Sequence, residues 1–455
     1  MNTSFFGDML HTISDRGRAL LAGRNRRVSG EARTATLVER CEDLLSGRGE
    51  ASGTALAREI LTDFQHLKTG ERVAFFEALA QVFGPDREAL RAACEAYARE
   101  PTEDAASAVH EAAEPRRQEL VRRLNLAPGA TGALVAMREQ LLDSLPLRPD
   151  LAGVDYDFVH LLSSWFNRGF LVLRRIDWSS PANVLEKIIR YEAVHEISDW
   201  DDLRARIDSP DRRCYAFFHP AMSDEPLIFV EVALTREIPD AIAPILSRDR
   251  ALLDPREATT ATFYSISNTQ RGLTGVTFGS FLIKQVVEEI SRELPNLTTF
   301  VTLSPVPGFM RWLSAERAKA DSIAIESGDR TVLAHLDDPN WQSDPRKVDE
   351  LRPVLGPLAA YYFLSARTKT GRPADPVARF HLGNGARLER IDLMADLSEK
   401  AIAQSAGTMV NYQYVLADIE KNHEAYAEAG EVVASNGVKR LLRPEKARAA
   451  LAAQP

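Results

Sequence analysis

Ala261-Thr262-Phe263-Tyr264-Ser265-Ile266-Ser267 opens the most informative segment of the chain, which runs on through Gly272 and Gly275 to Leu294 and then to Ser304. The opening run is β-branched and aromatic, which reads as a strand. In Val276 to Leu294, Phe278, Leu282, Val286 and Ile290 recur every four residues with Ile283 and Val287 beside them, one apolar face of a helix. Pro295 and Asn296 end that helix, and Leu297 to Ser304 reads as a further strand. Strand, glycine loop, helix, strand is a βαβ unit, whose two strands lie parallel. Upstream, Arg213 to His219 and Leu227 to Leu234 are two more such runs, joined by Pro220 to Pro226 as in an antiparallel hairpin. A hairpin followed by a βαβ unit makes a mixed sheet.

The first third has a different texture. Glu71 to Phe83 places Val73, Phe75-Phe76, Leu79 and Val82-Phe83 near helical spacing, and Pro85-Asp86-Arg87-Glu88 starts another helix. Helical patterns continue from Thr102 to Asn125 and, after a loop at Pro128 to Gly132, from Ala133 to Leu145. Alanine-rich helices with short loops form bundles. The expected class is α+β, an N-terminal all-α bundle over 1–166 and a mixed-sheet catalytic domain over 167–455, with Arg372-Pro373-Ala374-Asp375-Pro376 as a linker. Nothing in the bundle has catalytic residue types at suggestive spacing, so scaffold or oligomer contact is its expected role.

Composition narrows the function. The chain has 455 residues, 45% hydrophobic and 27% charged, and its 56 Lys and Arg against 65 Asp and Glu leave a net charge of −9. Such acidity argues against coating nucleic acid, since phosphate binding draws on basic excess. The longest apolar run, Leu358 to Leu364, falls well short of the roughly 20 residues that cross a bilayer. Cys41, Cys94 and Cys214 are widely spaced and suit a reducing cytoplasm. Arg16, Arg18, Arg24, Arg26 and Arg27 read as a solvated arm or helix face and not as a targeting presequence, because the same N-terminal stretch carries Asp8 and Asp15. The last three residues are not a peroxisomal signal.

Three segments can carry chemistry. Gln270 to Ser280 puts glycines at a strand-to-helix junction, where backbone N–H groups can approach an anion, or where the chain merely turns tightly. The pattern is neither a Walker A loop nor a Rossmann fingerprint. Leu303-Ser304-Pro305-Val306-Pro307-Gly308-Phe309 lies at a strand C-terminus, where ligands gather, and two prolines either hold the Ser304 hydroxyl or simply shape a turn. Phe380-His381-Leu382-Gly383-Asn384-Gly385-Ala386 sets a histidine beside a turn, as an acid or base with a pKa near neutrality or as a turn residue. The remaining histidines are scattered without an H-x-x-x-H pair, so no metal site is expected, and G-x-S-x-G is missing. Ser405 to Tyr414 reads as buried aromatic packing.

Together these segments resemble the malonyl-CoA decarboxylase family. The resemblance is carried by Tyr264 to Ser267, Gln270 to Lys284, Leu303 to Phe309, Phe380 to Ala386, Asn411-Tyr412 and Tyr414, and it spans roughly Trp165 to Tyr414. It implies a helical N-terminal domain that makes homo-oligomer contacts, with a tetramer favoured, and a catalytic domain of the GNAT-like N-acetyltransferase fold. It implies malonyl-CoA as substrate, acetyl-CoA as product and no cofactor. The catalytic residues it implies are Ser304 and His381. The malonyl-CoA-binding loop falls on Thr274, Gly275, Val276, Thr277, Phe278, Gly279 and Ser280, and Tyr414 matches a tyrosine lining the site. Thr277 is a departure, because animal members have an acid there.

Losing CO2 from malonyl-CoA leaves a thioester enolate, which donors fixed in advance must stabilise. Backbone N–H groups near Gly275 are candidates for that oxyanion. The departing carboxylate should meet a neutral donor, Ser304 or Tyr414, because a cation would stabilise the ground state more than the transition state. His381 would then protonate the enolate carbon. Two rivals share the fold or the ligand: an acyl-CoA-dependent N-acyltransferase and a non-catalytic malonyl-CoA sensor.

Overall fold

The computed structural model describes residues 30–47, 49–276 and 282–443. They fall into two compact units. One comprises the residues to Leu171 with His219–Ser223 and 270–276, and the other comprises Val172–Phe218, Asp224–Thr269 and 282–443.

The first unit is helical: α1 Gly30–Leu45, α2 Glu50–Gln65, α3 Thr69–Gln81, α4 Arg87–Arg99, α5 Glu103–Ala113, α6 Arg116–Leu124, α7 Ala130–Ser144 and α8 Ala152–Trp165. Asp86 caps α4 by accepting the N–H groups of Glu88 and Ala89, which satisfies donors that a helix start leaves open. The pattern expected from Thr102 to Asn125 is two helices, because Pro115 lacks the N–H that would continue α5. Phe64, Phe75 and Phe76 pack at tilted angles with centroids 5.3 to 6.3 Å apart and centre the core. A buried ion pair, Arg117 Nε to Asp157 at 2.5 Å, ties α6 to α8, and Gln118 satisfies the second carboxylate oxygen.

The second unit is built on a mixed sheet, with strands β1 Val172–Ile176, β2 Arg212–His219, β3 Met222–Thr235, β4 Thr260–Asn268, β5 Thr299–Thr302, β6 Ser304–Pro305, β7 Arg387–Asp392 and β8 Met409–Gln413. The order is β1-β2-β3-β4-β5-β8-β6, with β7 on β8. β3 meets β4 antiparallel and β4 meets β5 parallel, joined through α11, Leu282–Glu293. Helices α9, Ala182–Tyr191, and α10, Trp200–Ile207, bury Val184, Leu185, Ile188 and Leu203 against Cys214, Ala216 and Phe218 of β2. β3 starts at Met222, inside the segment expected to be a connector, so pairing carries the strand through Ser223 and Pro226. Val276 lies outside the helix expected to begin there: its N–H closes a turn onto Leu273 O at 3.0 Å.

The sheet opens where the chemistry gathers. β5 touches β8 at a single pair, Val301 with Gln413, after which β6 takes over with Ser304 opposite Val410. Leu303 N–H bonds Phe263 O at 2.9 Å, so Ser304 emerges at the point where β5 leaves β4.

Candidate active site

Ser304 and His381 lie far apart in sequence and meet here: Ser304 Oγ is 3.2 Å from His381 Nε2. The other ring nitrogen, Nδ1, is 2.8 Å from Tyr414 Oη. The three side chains are 5%, 3% and 1% exposed.

Each is placed by a local device. His381 rides on α12, Pro376–Gly383, a helix with Asp375 at its N-cap and Pro376 at N1, where a missing N–H costs nothing. Asp375 Oδ1 accepts Ala378 N–H at 2.8 Å, and Oδ2 accepts the Tyr362 hydroxyl at 3.2 Å. The stretch expected to be a linker, Arg372 to Pro376, is therefore the start of the histidine helix. Beyond it, Gly385 adopts φ +81°, and a Cβ there would lie 2.1 Å from Ile419 O. The ring of His381 stacks on Tyr412, with centroids 4.5 Å apart and planes 23° from parallel. Tyr414 is held by its N–H, which bonds Phe300 O at 2.8 Å.

Thr302, which was not singled out from sequence, and Tyr412, noted there for the resemblance and for aromatic packing but given no site role, complete the site. The Ser304 hydroxyl donates to Thr302 Oγ1 at 2.8 Å, and Tyr412 N–H donates to the same oxygen at 3.1 Å. A signal for Thr302 existed: two residues before Ser304 on an extended segment, it shares Ser304's face.

The pair faces a cavity of about 230 Å³ walled by Phe263, Ile266, Pro305, Val377 and Phe380, with Asn268 at its edge. Among the described residues lining it, none is Lys, Arg, Asp or Glu. Burial pushes the His381 pKa down to about 3, not near neutrality as expected from sequence, and raises that of Tyr414. The imidazole is neutral at physiological pH. It holds one proton, which either ring nitrogen can carry.

The glycine loop is positioned within the helical unit. Arg271–Leu273 forms a 3-10 turn, Gly275 takes φ +81°, and Thr274 and Gly275 are exposed. Gly272 leaves no room for a side chain: a Cβ would sit 2.0 Å from Val135 O on α7. Arg138, also on α7 and 2% exposed, donates to Gly272 O at 2.7 Å and pairs with Asp155 at 2.8 Å. Thr277, Phe278, Gly279 and Ser280 lie outside the described residues.

Residues 83–166 match the malonyl-CoA decarboxylase N-terminal domain, and residues 169–452 match the malonyl-CoA decarboxylase C-terminal domain. The chain belongs to the malonyl-CoA decarboxylase family. It is 38% identical over 348 residues to the mitochondrial malonyl-CoA decarboxylase of Anser anser anser, covering 71% of this chain and 69% of that one. The crystal structure of malonyl-CoA decarboxylase from Rhodopseudomonas palustris is 57% identical, superposes with a TM-score of 0.87, and covers 91% of this chain and 100% of its own. That from Agrobacterium vitis is 56% identical with a TM-score of 0.86, covering 90% and 100%. Family membership makes the chain a carboxy-lyase and gives it the fold of these structures, a helical region followed by a mixed-sheet domain. Among the described residues, no helix is long and apolar enough to cross a membrane.

Proposed function

We propose that the chain decarboxylates malonyl-CoA to acetyl-CoA and CO2 without a cofactor, and that Ser304, His381 and Tyr414 carry the reaction. The observation that supports this most is the neutral hydroxyl–imidazole pair at the head of a cavity with apolar walls. A malonyl carboxylate there loses water and gains no cation, whereas the CO2 that forms is apolar and at home. The site thus favours the transition state over the bound carboxylate. Carbon–carbon cleavage moves the bonding pair into the thioester, whose oxyanion needs hydrogen-bond donors fixed in advance. Thr274 to Ser280 is the proposed malonyl-CoA loop.

The enolate carbon needs one proton. With Ser304 donating to Thr302, the Ser304 oxygen is left to accept from His381 Nε2–H, and Nδ1 then accepts from Tyr414. In this order the neutral imidazole carries its proton on Nε2: Ser304 passes its own proton to carbon, His381 Nε2–H replaces it, and Nδ1 takes the Tyr414 hydroxyl proton, so the ring stays neutral and the negative charge passes to the Tyr414 oxygen. Solvent restores the proton, so the net reaction takes up one H+.

The test is incubation with malonyl-CoA and no acceptor, followed for acetyl-CoA. Product excludes an N-acyltransferase that needs an amine and a sensor that consumes nothing. Ser304→Ala and His381→Ala should each lower kcat by about 100-fold or more, in the range for lost proton transfer. Near-normal turnover in either folded variant removes that residue from the mechanism.

The same proposal places the enzyme in the cytoplasm, in keeping with the dispersed cysteines, and assigns domain 1–166 to homo-oligomer contacts. Leu126, Leu147 and Tyr156 stand 69%, 87% and 71% exposed on the helical unit, as an oligomer surface requires. Light scattering should find a tetramer, and a monomer at micromolar concentration would end that part.

A further inference from the structure

A second cavity, of about 650 Å³, shares Phe380 with the first as a lining residue. Thr370, Gly371, Arg372, Arg379 and Tyr426 line it. Arg367 and Lys369 belong to the same turn, closed by a bridge between Arg367 and Pro373. Among the described residues, most arginines of this acidic chain have a carboxylate partner. Arg367, Lys369, Arg372 and Arg379 have none within ion-pair distance. Arg379 uses Nη1 on the Pro373 and Ala374 carbonyls, and Arg367 uses Nη1 on Ala366 O, so each keeps further N–H donors for a ligand. The nearby acid, Asp375, is buried and committed to Ala378 and Tyr362. Four like charges on one turn and helix repel unless something anionic joins them.

The rest of the cavity narrows the anion. The three guanidiniums act together on the half-buried Tyr426 phenol, whose ring supplies an apolar face beside them. Guanidinium with an aromatic face is the pairing that recognises a phosphate next to a base. Tyr426 lies on α13, Ile419–Ala429, and six residues earlier Glu420 pairs with Lys284 at 3.0 Å in the first turn of α11. At 1.5 Å per residue those two points are about 9 Å apart, the reach of a nucleotide. We propose that this cavity takes the 3′-phosphate of the acyl-CoA nucleotide, with Tyr426 against the adenine and Arg372, Arg379, Arg367 and Lys369 around the phosphate. This rests on the acyl-CoA reading above and extends it to the far end of the substrate.

Calorimetric titration of the full chain with CoA and with dephospho-CoA, which lacks that phosphate, tests it without turnover. The unaltered protein should bind CoA about tenfold more tightly, the scale of one charge-assisted phosphate contact. Arg372→Ala and Lys369→Ala, both at exposed positions, should weaken CoA and leave dephospho-CoA unchanged, with Arg372→Lys recovering part. In steady state, Arg372→Ala should raise KM for malonyl-CoA with kcat within about twofold. Equal binding of the two ligands, or equal weakening of both in the variants, overturns the site. So does adenosine 3′,5′-bisphosphate binding alongside saturating CoA, which would mean a separate anion. Should malonyl-CoA not be consumed, the lyase reading fails while the CoA comparison still decides this cavity.

Discussion

In the proposed mechanism the chemistry turns on His381, whose surroundings decide which proton it can give. No carboxylate supports an imidazolium: desolvation alone pushes its pKa down to about 3. The kcat profile should therefore show no His381 ionisation near pH 6.5. A tenfold fall per pH unit starting there, lost in His381→Gln, would contradict a neutral imidazole. Stability carries the matching sign. The unfolded chain takes up a proton near pH 6.5 that the folded chain refuses until about pH 3, so this residue's contribution is present above 6.5 and is lost as pH falls through that window. His381→Gln should narrow the stability loss between pH 6.5 and 4 in urea titrations. Thr302 acts one step back, as a positioning residue. Thr302→Val removes the acceptor that orients the Ser304 hydroxyl and should lower kcat about tenfold with KM little changed, while Thr302→Ser restores most of it. Equal loss in both variants would make the role one of packing.

Among the elements, α12 depends on how it ends. Gly385 needs both a positive φ and the absence of a side chain, because Ile419 O stands 2.1 Å from where a Cβ would be. Gly385→Ala should cost at least about 2 kcal/mol, from left-handed strain plus backbone displacement, measured as a lowered urea midpoint at unchanged slope. A change under about 0.5 kcal/mol would show that the turn can relax. What the sequence made legible was local. β-branched and aromatic runs marked β2 and β4, a four-residue periodicity marked α11, and the Asn-Gly turn after His381 was recognisable as a turn. The pairing of β6 with β8 was not, because a two-residue strand has no periodicity and its partner lies over a hundred residues away. Arg372 to Pro376 passed for a linker because proline and aspartate mark helix starts as well as loops, and only packing of Tyr362 on Asp375 separates the two. For the site, the resemblance named Ser304, His381 and Tyr414. The residues that orient them, Thr302 and Tyr412, are ordinary strand residues whose role appears only with coordinates.

At the scale of the whole molecule, the helical third was expected to be scaffold or oligomer contact, and it also holds the glycine loop. The glycine loop packs within the helical unit: Gly272 lies against Val135, and Arg138 grips the Gly272 carbonyl while Asp155 holds the guanidinium. If, as proposed, this loop meets CoA through backbone N–H groups, it cannot correct its aim with side-chain rotation, so what fixes its backbone fixes its affinity. Arg138→Met keeps most of the buried volume and removes the donors to Gly272 O. It should raise KM for malonyl-CoA by about tenfold or more, the effect of losing one charged hydrogen bond, while Ser304 and His381 keep their geometry. Asp155→Asn should shift KM in the same direction by less, since the guanidinium keeps its bond to Gly272 but loses its counter-charge. If instead kcat falls and KM holds in both variants, α7 supports the chemistry by another route. If neither changes while the urea midpoint drops, Arg138 serves only the bundle.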